Sequence, residues 1–348
     1  MHWSKLSRSI LTAAGLCLAV AMAPSPARAA ELPPQPTAEK GTLTVVSYNT
    51  HGGIGIDGRY SLARIADVIA QTHADVVGLQ EVGAYWHKHA RHEDEAQFYI
   101  RRLHMYGFFA PIFNLDAITP GGPRRQYGVL LLSRYPIQGM VNHQIARRLT
   151  QGRRESVAVK PGFAEAMIHV HGQDLRVYLT HLDYRRDAHL RARQVADMMR
   201  IVSENTGPKV LMGDLNAVPS APELRPLWNV FGQTMNRCQG GCATFPADAP
   251  TRLIDYVLVS HGLQVQSVQV VNTTASDHRP IRAVISLAGS EHRRAVPAPA
   301  SKRTLTCSIL EGVTCIMQVN RNETTLGGTG CSPGHCRSPV RIHLHRGG

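Results

Sequence analysis

The sequence predicts an α/β fold in which two β layers share one core and helices cover the outside. Three observations lead there. Between Leu43 and Leu287, apolar runs of strand length alternate with segments of helical period. Several of those runs stop abruptly at an acid, an amide or a histidine, as strands do when their ends converge on a polar site. The stretch of about 245 residues is long enough to bury one large core between two sheets.

The strand runs fall at 43–48, 75–80, 127–133, 174–180, 208–213, 253–259 and 280–287. Helical period is clearest in Leu62, Ile65, Ala66 and Ile69, and again in Leu190, Val195, Met198 and Met199. The β-rich stretches 154–160 and 163–170 read as an antiparallel pair. The glycine-rich segment His51–Gly58 reads as a strand-to-helix turn, with a backbone phosphate cradle as the alternative.

The ends of the chain differ in character. Residues 1–29 form a processing segment: His2, Lys5 and Arg8, an apolar stretch from Ile10 to Ala23, then the small-residue site Ala27-Arg28-Ala29. Export with cleavage after this site is expected, so the mature protein would be secreted or periplasmic. The apolar stretch is too short to favour a membrane span, and no later segment is long and apolar enough for one. Residues 30–41 are a Pro-containing lead-in, 42–288 the α/β domain, 289–303 a Pro/Ala linker, and 304–348 a small basic Cys-rich extension.

The formal net charge is +13, falling to +10 when Lys5, Arg8 and Arg28 leave with the leader. Such a surface favours polyanions such as nucleic acid, anionic lipid or acidic polysaccharide, though a basic charge also serves solubility. Six of the seven cysteines remain, and an even count in an oxidising compartment points to disulfides, with Cys238 and Cys242 placed to close a tight loop. Zinc is the alternative for Cys307, Cys315, Cys331 and Cys336, but their spacing fits no familiar pattern.

Each chemical motif has a bland reading beside a functional one. Glu81 ends the run Val76-Val77-Gly78-Leu79-Gln80-Glu81: an oxygen ligand for a hard cation, or a surface carboxylate. Asp214 and Asn216 flank Leu215: a water-orienting acid with a phosphate-binding amide, or turn residues after Gly213. Asp255 sits in Leu253-Ile254-Asp255-Tyr256-Val257 and can orient His278 of Ser276-Asp277-His278, or form a core ion pair with it. His181 follows the strand Val177–Thr180. Asn49 ends Val45-Val46-Ser47-Tyr48-Asn49. Arg153 and Arg154 offer a phosphate contact or a solvated loop.

Taken in order, Asn49, Gln80-Glu81, Thr180-His181, Gly213-Asp214-Leu215-Asn216, Asp255 and Ser276-Asp277-His278 resemble the endonuclease/exonuclease/phosphatase superfamily over residues 42–287. The resemblance implies a four-layer α/β/β/α sandwich and phosphoester hydrolysis dependent on Mg²⁺ or Mn²⁺. It implies that Glu81 is the main metal ligand, with Asn49 and Asp277 nearby, and that Asp214 positions the attacking water. Asn216 would contact the phosphate, while His181 and His278, the latter oriented by Asp255, would neutralise the pentacovalent phosphorus. Pancreatic-type deoxyribonucleases pair a second histidine with an acid before the central strand. Here that stretch is Pro123-Arg124-Arg125-Gln126-Tyr127-Gly128, without a carboxylate, so the match to that branch is incomplete.

The expected activity is therefore a metal-dependent phosphodiesterase, with nucleic acid the first substrate and a lipid phosphodiester the second. The lipid reading calls for a protruding apolar hairpin, for which Tyr106–Phe113 is the candidate, with packing in the core as its other reading. A non-catalytic polyanion-binding protein is the alternative of a different class.

Overall fold

The computed structural model describes residues 41–151, 155–232, 234–238, 241–287 and three short segments of the tail. The leader, nearly all of the lead-in, Arg154 and the Pro/Ala linker lie outside the described residues.

The first sheet is built from β1 (Thr42–Asn49), β2 (Val76–Ala84), β3 (Tyr106–Leu115) and β4 (Arg125–Ser133). The second starts with β5 (Ile137–Leu149), β6 (Ser156–Val170), β7 (Gln173–His181) and β8 (Lys209–Asp214), and continues with β9 (Phe231–Gly232) and β10 (Asp255–Ser260). The chain then returns to the first sheet through β11 (Gln264–Val270) and β12 (Ile281–Ser286). The orders are β11-β12-β1-β2-β4-β3 and β5-β6-β7-β8-β10-β9. Each sheet is antiparallel except for one parallel pair, β1 with β2 and β7 with β8. A parallel pair needs a crossover, and helices supply it: α1 (Leu62–Gln71) after β1 and α3 (His189–Ser203) after β7. A further helix, α2 (Glu95–Leu103), follows β2.

Alternation along the strands makes the layers. In the first sheet Val45, Val76, Val129 and Leu131 face the second sheet and join Ala166, Val177, Leu179 and Val210. Their neighbours Val46, Val77, Leu130 and Leu132 face outward, onto Leu62, Ile65 and Ile69 of α1 and Tyr99 of α2. Both faces are buried, which is why these strands are apolar throughout. Val195, Met198 and Val202 of α3 cover the far side of the second sheet. The result is the four-layer α/β/β/α sandwich. Ser61 caps α1, its Oγ accepting from Arg64 N, and Asp94 caps α2 by accepting from Gln97 N.

Three expectations need correction. The described part of 154–160, from Ser156 on, and the stretch 163–170 are not a pair but parts of the single strand β6. Pro161 and Gly162, which read as a break, sit at a register shift against His143 and Gln144 of β5, a bulge being where a strand tolerates a residue without N–H. Tyr106–Phe113 is not a protruding hairpin. It lies within β3, the edge strand hydrogen-bonded to β4, and Phe108 and Ile112 pack on the core. Cys238 and Cys242 are not joined by a disulfide, and the Cys238 thiol donates to Gly241 O.

No helix among the described residues is long and apolar enough to cross a membrane. The chain divides into two units, with the boundary between Gly289 and Ser290. In the second, β13 (Thr306–Leu310), β14 (Thr314–Gln318) and β15 (Leu326–Gly328) form an antiparallel sheet.

Gly78 is required by the close approach of the two sheets. A Cβ there would lie 2.6 Å from Leu179 Cδ1 and 3.1 Å from Met212 Cε. Gly78→Val is expected to destabilise the domain by roughly 1–3 kcal/mol through overpacking. Urea denaturation checks this, and an unchanged midpoint would contradict the inter-sheet packing described here.

Candidate active site

The registers of the strands set the site. Asn49 ends β1 opposite Gln80 of the parallel partner β2. On the other sheet His181 pairs with Asp214 across β7 and β8, and Asp255 pairs with Asp214 across β10 and β8. Because β10 runs antiparallel, Asp255 is its first residue rather than a mid-strand acid, and so lies at the same edge as the C-terminal ends of β7 and β8. Gly213 belongs to β8 rather than to a turn, and a Cβ there would lie 2.3 Å from Thr180 O.

Glu81 and Asn216 reach the site through unusual backbone. Both have positive φ, 61° and 52°, a region that side chains disfavour and that recurs at functional sites. Glu81 falls in the register shift between Leu79 and Val82 of β2, so the bulge redirects a carboxylate that regular alternation would have placed elsewhere. Asn216 folds back on Asp214, its N–H donating to Asp214 Oδ1 at 2.8 Å. The turn chemistry and the placement of two polar groups are here the same geometry.

Asp214, almost wholly buried, is the centre. Its Oδ2 accepts from Asn49 Nδ2 at 3.1 Å and lies 3.5 Å from His181 Nε2 and 3.8 Å from His278 Nε2. Asn49 Nδ2 also donates to Glu81 Oε1 at 3.1 Å. Asn216 Nδ2 donates to His181 Nε2 at 3.1 Å. His278 Nδ1 is bonded to Asp255 Oδ2 at 2.9 Å, with both residues buried. Asp277 is half-exposed, its Oδ1 3.6 Å from His51 Nδ1 and 3.3 Å from Ser276 Oγ. Ser276 Oγ in turn donates to Asn49 O at 2.7 Å, which joins this loop to β1. The eight described candidates thus occupy one edge of the sandwich, and Arg154 lies outside the described residues.

The electrostatics divide the roles. Burial, reinforced by the neighbouring Asp255 charge, pushes Asp214 from 3.8 up to about 6, although both histidines pull it down. A carboxylate held there is suited to proton transfer near neutral pH. His278 moves the other way from its burial: desolvation disfavours its cation, but Asp255 outweighs it and lifts the imidazole from 6.5 to about 10. Asp214, Asp255 and His278 have ligand atoms within 4.8 Å of one another. Since Asp255 already engages His278 Nδ1, we read them as an oriented acid–histidine pair rather than a metal cage.

The site opens into a cleft of about 520 Å³. Its walls include Phe113 and Tyr127 and add residues that the sequence did not single out: Arg147, Arg148, Tyr184 and Arg185. Tyr127 fills the stretch without a carboxylate, and burial together with the adjacent Glu81 charge raises its phenol well above the usual value. Arg147 is buried and donates to His181 O at 2.5 Å and to Gly162 O, fixing the strand end that carries His181. Phe245 of Thr244-Phe245-Pro246 packs on His278, ring centroids 4.8 Å apart.

A family model described as "Endonuclease/Exonuclease/phosphatase family" matches residues 46–278. The chain belongs to this family. Solved structures share the family's fold at low identity. An endonuclease/exonuclease/phosphatase from Beutenbergia cavernae has a TM-score of 0.56 and 20% identity over 83% of this chain and 89% of its own. The mannosyl-6-phosphatase Bt3783 of Bacteroides thetaiotaomicron gives 0.51 and 16%, over 70% of this chain and 99% of its own. A beta toxin variant from Staphylococcus aureus, with bound magnesium ions, gives 0.52 and 18%, over 69% and 98%. No curated protein matches by sequence.

The residues fit the divalent metal that the family uses. Two carboxylate oxygens, from Glu81 and Asp214, converge on the single donor Asn49 Nδ2, a position where a cation would meet the same charges. Glu81 and Asp277 offer carboxylate oxygens, the ligand type that Mg²⁺ and Mn²⁺ prefer, while Asn49 Oδ1 accepts from His51 N at 3.0 Å.

The Asp255–His278 pair has a consequence for metal-free protein. The folded value of His278, about 10, lies above its ordinary 6.5. Its protonated form therefore stabilises the fold fully below pH 6.5, and this contribution fades as pH rises towards 10. Asp255→Asn is expected to flatten the pH dependence of unfolding across that window. Denaturation at a series of pH values in EDTA measures it; a wild-type slope retained in Asp255→Asn would contradict the pairing.

Proposed function

We propose that this chain is an exported phosphodiesterase that cleaves nucleic acid by metal-assisted attack of water on phosphorus. One observation carries the reading: Asn49, Glu81, His181, Asp214, Asn216, Asp255, Asp277 and His278 meet at one edge of the sandwich, around a buried carboxylate in an open cleft. The leader-like residues 1–29 support export.

In this reading Glu81, Asn49 and Asp277 hold Mg²⁺ or Mn²⁺, which when bound polarises the phosphoryl oxygen and stabilises charge on the leaving group. Asp214 takes the proton of the attacking water, helped by its value near 6. Asn216 donates to a phosphate oxygen through the Nδ2 that now rests on His181. His278, kept cationic by Asp255, and His181 offset the charge that accumulates on the equatorial oxygens, typically the largest catalytic contribution. A histidine bound to the leaving oxygen can return the proton.

The rim supports the choice of substrate. Tyr184 is 72% exposed beside the cleft, with the Arg185 guanidinium 4.9 Å from its ring centre. An exposed ring and a cation next to a phosphoryl site form a stacking platform for a base of a single strand. One observation favours a lipid diester instead. A groove of about 470 Å³ shares Ile112 and Phe113 with the cleft and is lined further by Pro111, Leu115 and Leu149. Val157 and Val159 stand exposed on β6.

Hydrolysis of single-stranded DNA, RNA, a lipid phosphodiester in vesicles and a phosphomonoester, with Mg²⁺, Mn²⁺ or EDTA, tests the proposal. Turnover is expected on nucleic acid, abolished by EDTA and lowered ~10²–10³-fold or more in Glu81→Ala and His278→Ala. A folded, metal-loaded protein inactive on the whole panel would overturn the enzymatic reading, and preference for vesicles would replace the substrate. Tyr184→Ala is expected to raise KM for the nucleic acid substrate by roughly 5–150-fold, from ~1–3 kcal/mol of lost stacking, with little change in kcat. Equal KM in both proteins would remove the stacking argument.

A further inference from the structure

A second cluster of ligating side chains lies in the loop between β2 and α2 and at the first residue of α2, apart from the candidate active-site residues. One ring nitrogen each of His87 and His89 and one carboxylate oxygen of Glu95 lie within 4.8 Å of one another. Glu95 is fully buried. Among the described residues its carboxylate forms no ion pair with a lysine or arginine: Oε2 accepts from Gly83 N at 2.8 Å, and Oε1 meets His87 Nδ1 at 2.6 Å. A buried carboxylate needs a cation or a full set of donors, and a single imidazole beside it is the least that would serve.

The second imidazole is what a hydrogen-bonded pair leaves unexplained. His89 is stacked on His87, ring centroids 4.7 Å apart, and its Nε2 lies 3.0 Å from Gly52 O. A carbonyl oxygen only accepts, so Nε2 carries the proton and neutral His89 keeps a lone pair on its other nitrogen. This is the arrangement by which metal-bound histidines are oriented: one nitrogen on a backbone carbonyl, the other on the ion. The ligands also grade from buried Glu95 through half-buried His87 to exposed His89, giving an ion a path in from solvent.

We infer that His87, His89 and Glu95 form a second metal site that takes Zn²⁺. Two imidazoles and one carboxylate suit Zn²⁺ far better than Mg²⁺, and a water can complete the tetrahedron. Binding displaces the proton shared by His87 and Glu95, so affinity falls at acid pH. The site ties together three segments: the 85–94 loop, Gly52 after β1, and Gly83, two residues beyond Glu81. Tyr127 packs edge-on against His87, with centroids 5.8 Å apart, and also faces Glu81. An ion here braces the backbone beside the catalytic edge without belonging to it.

The test counts metal and does not depend on the proposed activity. Full-length wild type, His89→Ala and the neighbouring His92→Ala are dialysed against Zn²⁺ in excess Mg²⁺ and analysed by mass spectrometry of the metal. Zinc held elsewhere in the chain is common to all three, so the difference isolates this site. His89→Ala is expected to retain one Zn²⁺ fewer per chain than wild type and to lose the Zn²⁺-induced rise in Tm, while His92→Ala keeps both. Equal zinc content in wild type and His89→Ala overturns the inference. Should His89→Ala fail to fold, anomalous diffraction at the zinc edge from Zn²⁺-soaked wild-type crystals decides alone. A peak between His87, His89 and Glu95 supports the site, and its absence refutes it.

Discussion

The carboxylate of Asp214 is the constraint around which the molecule is arranged. It is buried where two six-stranded sheets meet, and its Oδ2 accepts from Asn49, a residue of the opposite sheet. That bond joins the layers at their polar edge, as Gly78 and Leu179 join them within the core. A charge so placed costs free energy unless donors surround it. Asn49, Asn216, His181 and His278 do so, each delivered by a different strand end or loop. What stabilises the carboxylate also assembles the chemistry.

The two parallel pairs explain why the polar edge exists. In each sheet a strand, a crossover helix and a second parallel strand bring two C-terminal ends side by side. In the first sheet the paired stretch ends at Asn49 and Gln80, with Glu81 next in the bulge of β2; in the second, the ends carry His181 and Asp214. Stacking the sheets with these ends on one side makes a single site from two half-sites. The return of β11 and β12 to the first sheet then places Asp277 and His278 at that site, beside Asp255 at the head of β10. Family membership, oxygen-ligand composition and this convergence agree with one another at the level of a metal-dependent hydrolase. The cleft walls include Tyr184 and Arg185, and an apolar groove shares Ile112 and Phe113 with them.

Much of this was legible in the sequence because strand ends are local. A run such as Val210-Leu211-Met212-Gly213 followed by Asp214 announces a buried strand and a polar stop without any knowledge of partners. The order of those stops along the chain carried the family. The sequence misled where the decisive contact was distant. Pro161-Gly162 looked like a break, but β5 accommodates it with a bulge. Tyr106–Phe113 looked free to protrude, but it hydrogen-bonds to β4.

The sequence by itself determined the α/β alternation, the apolar faces and the identity of the polar strand ends, since these depend on period and residue type over a few positions. Tertiary structure alone decided which of those ends meet, and at what protonation. The bulge that turns Glu81 into the site, the Asn49–Asp214 bond across 165 residues and the opposite shifts of Asp214 and His278 all arise from burial and register. So do the cleft-lining Arg147 and Tyr184 and the His87–His89–Glu95 cluster. The physical reason is common to all of them: desolvation and charge pairing are set by neighbours in space, and only the folded chain supplies those neighbours.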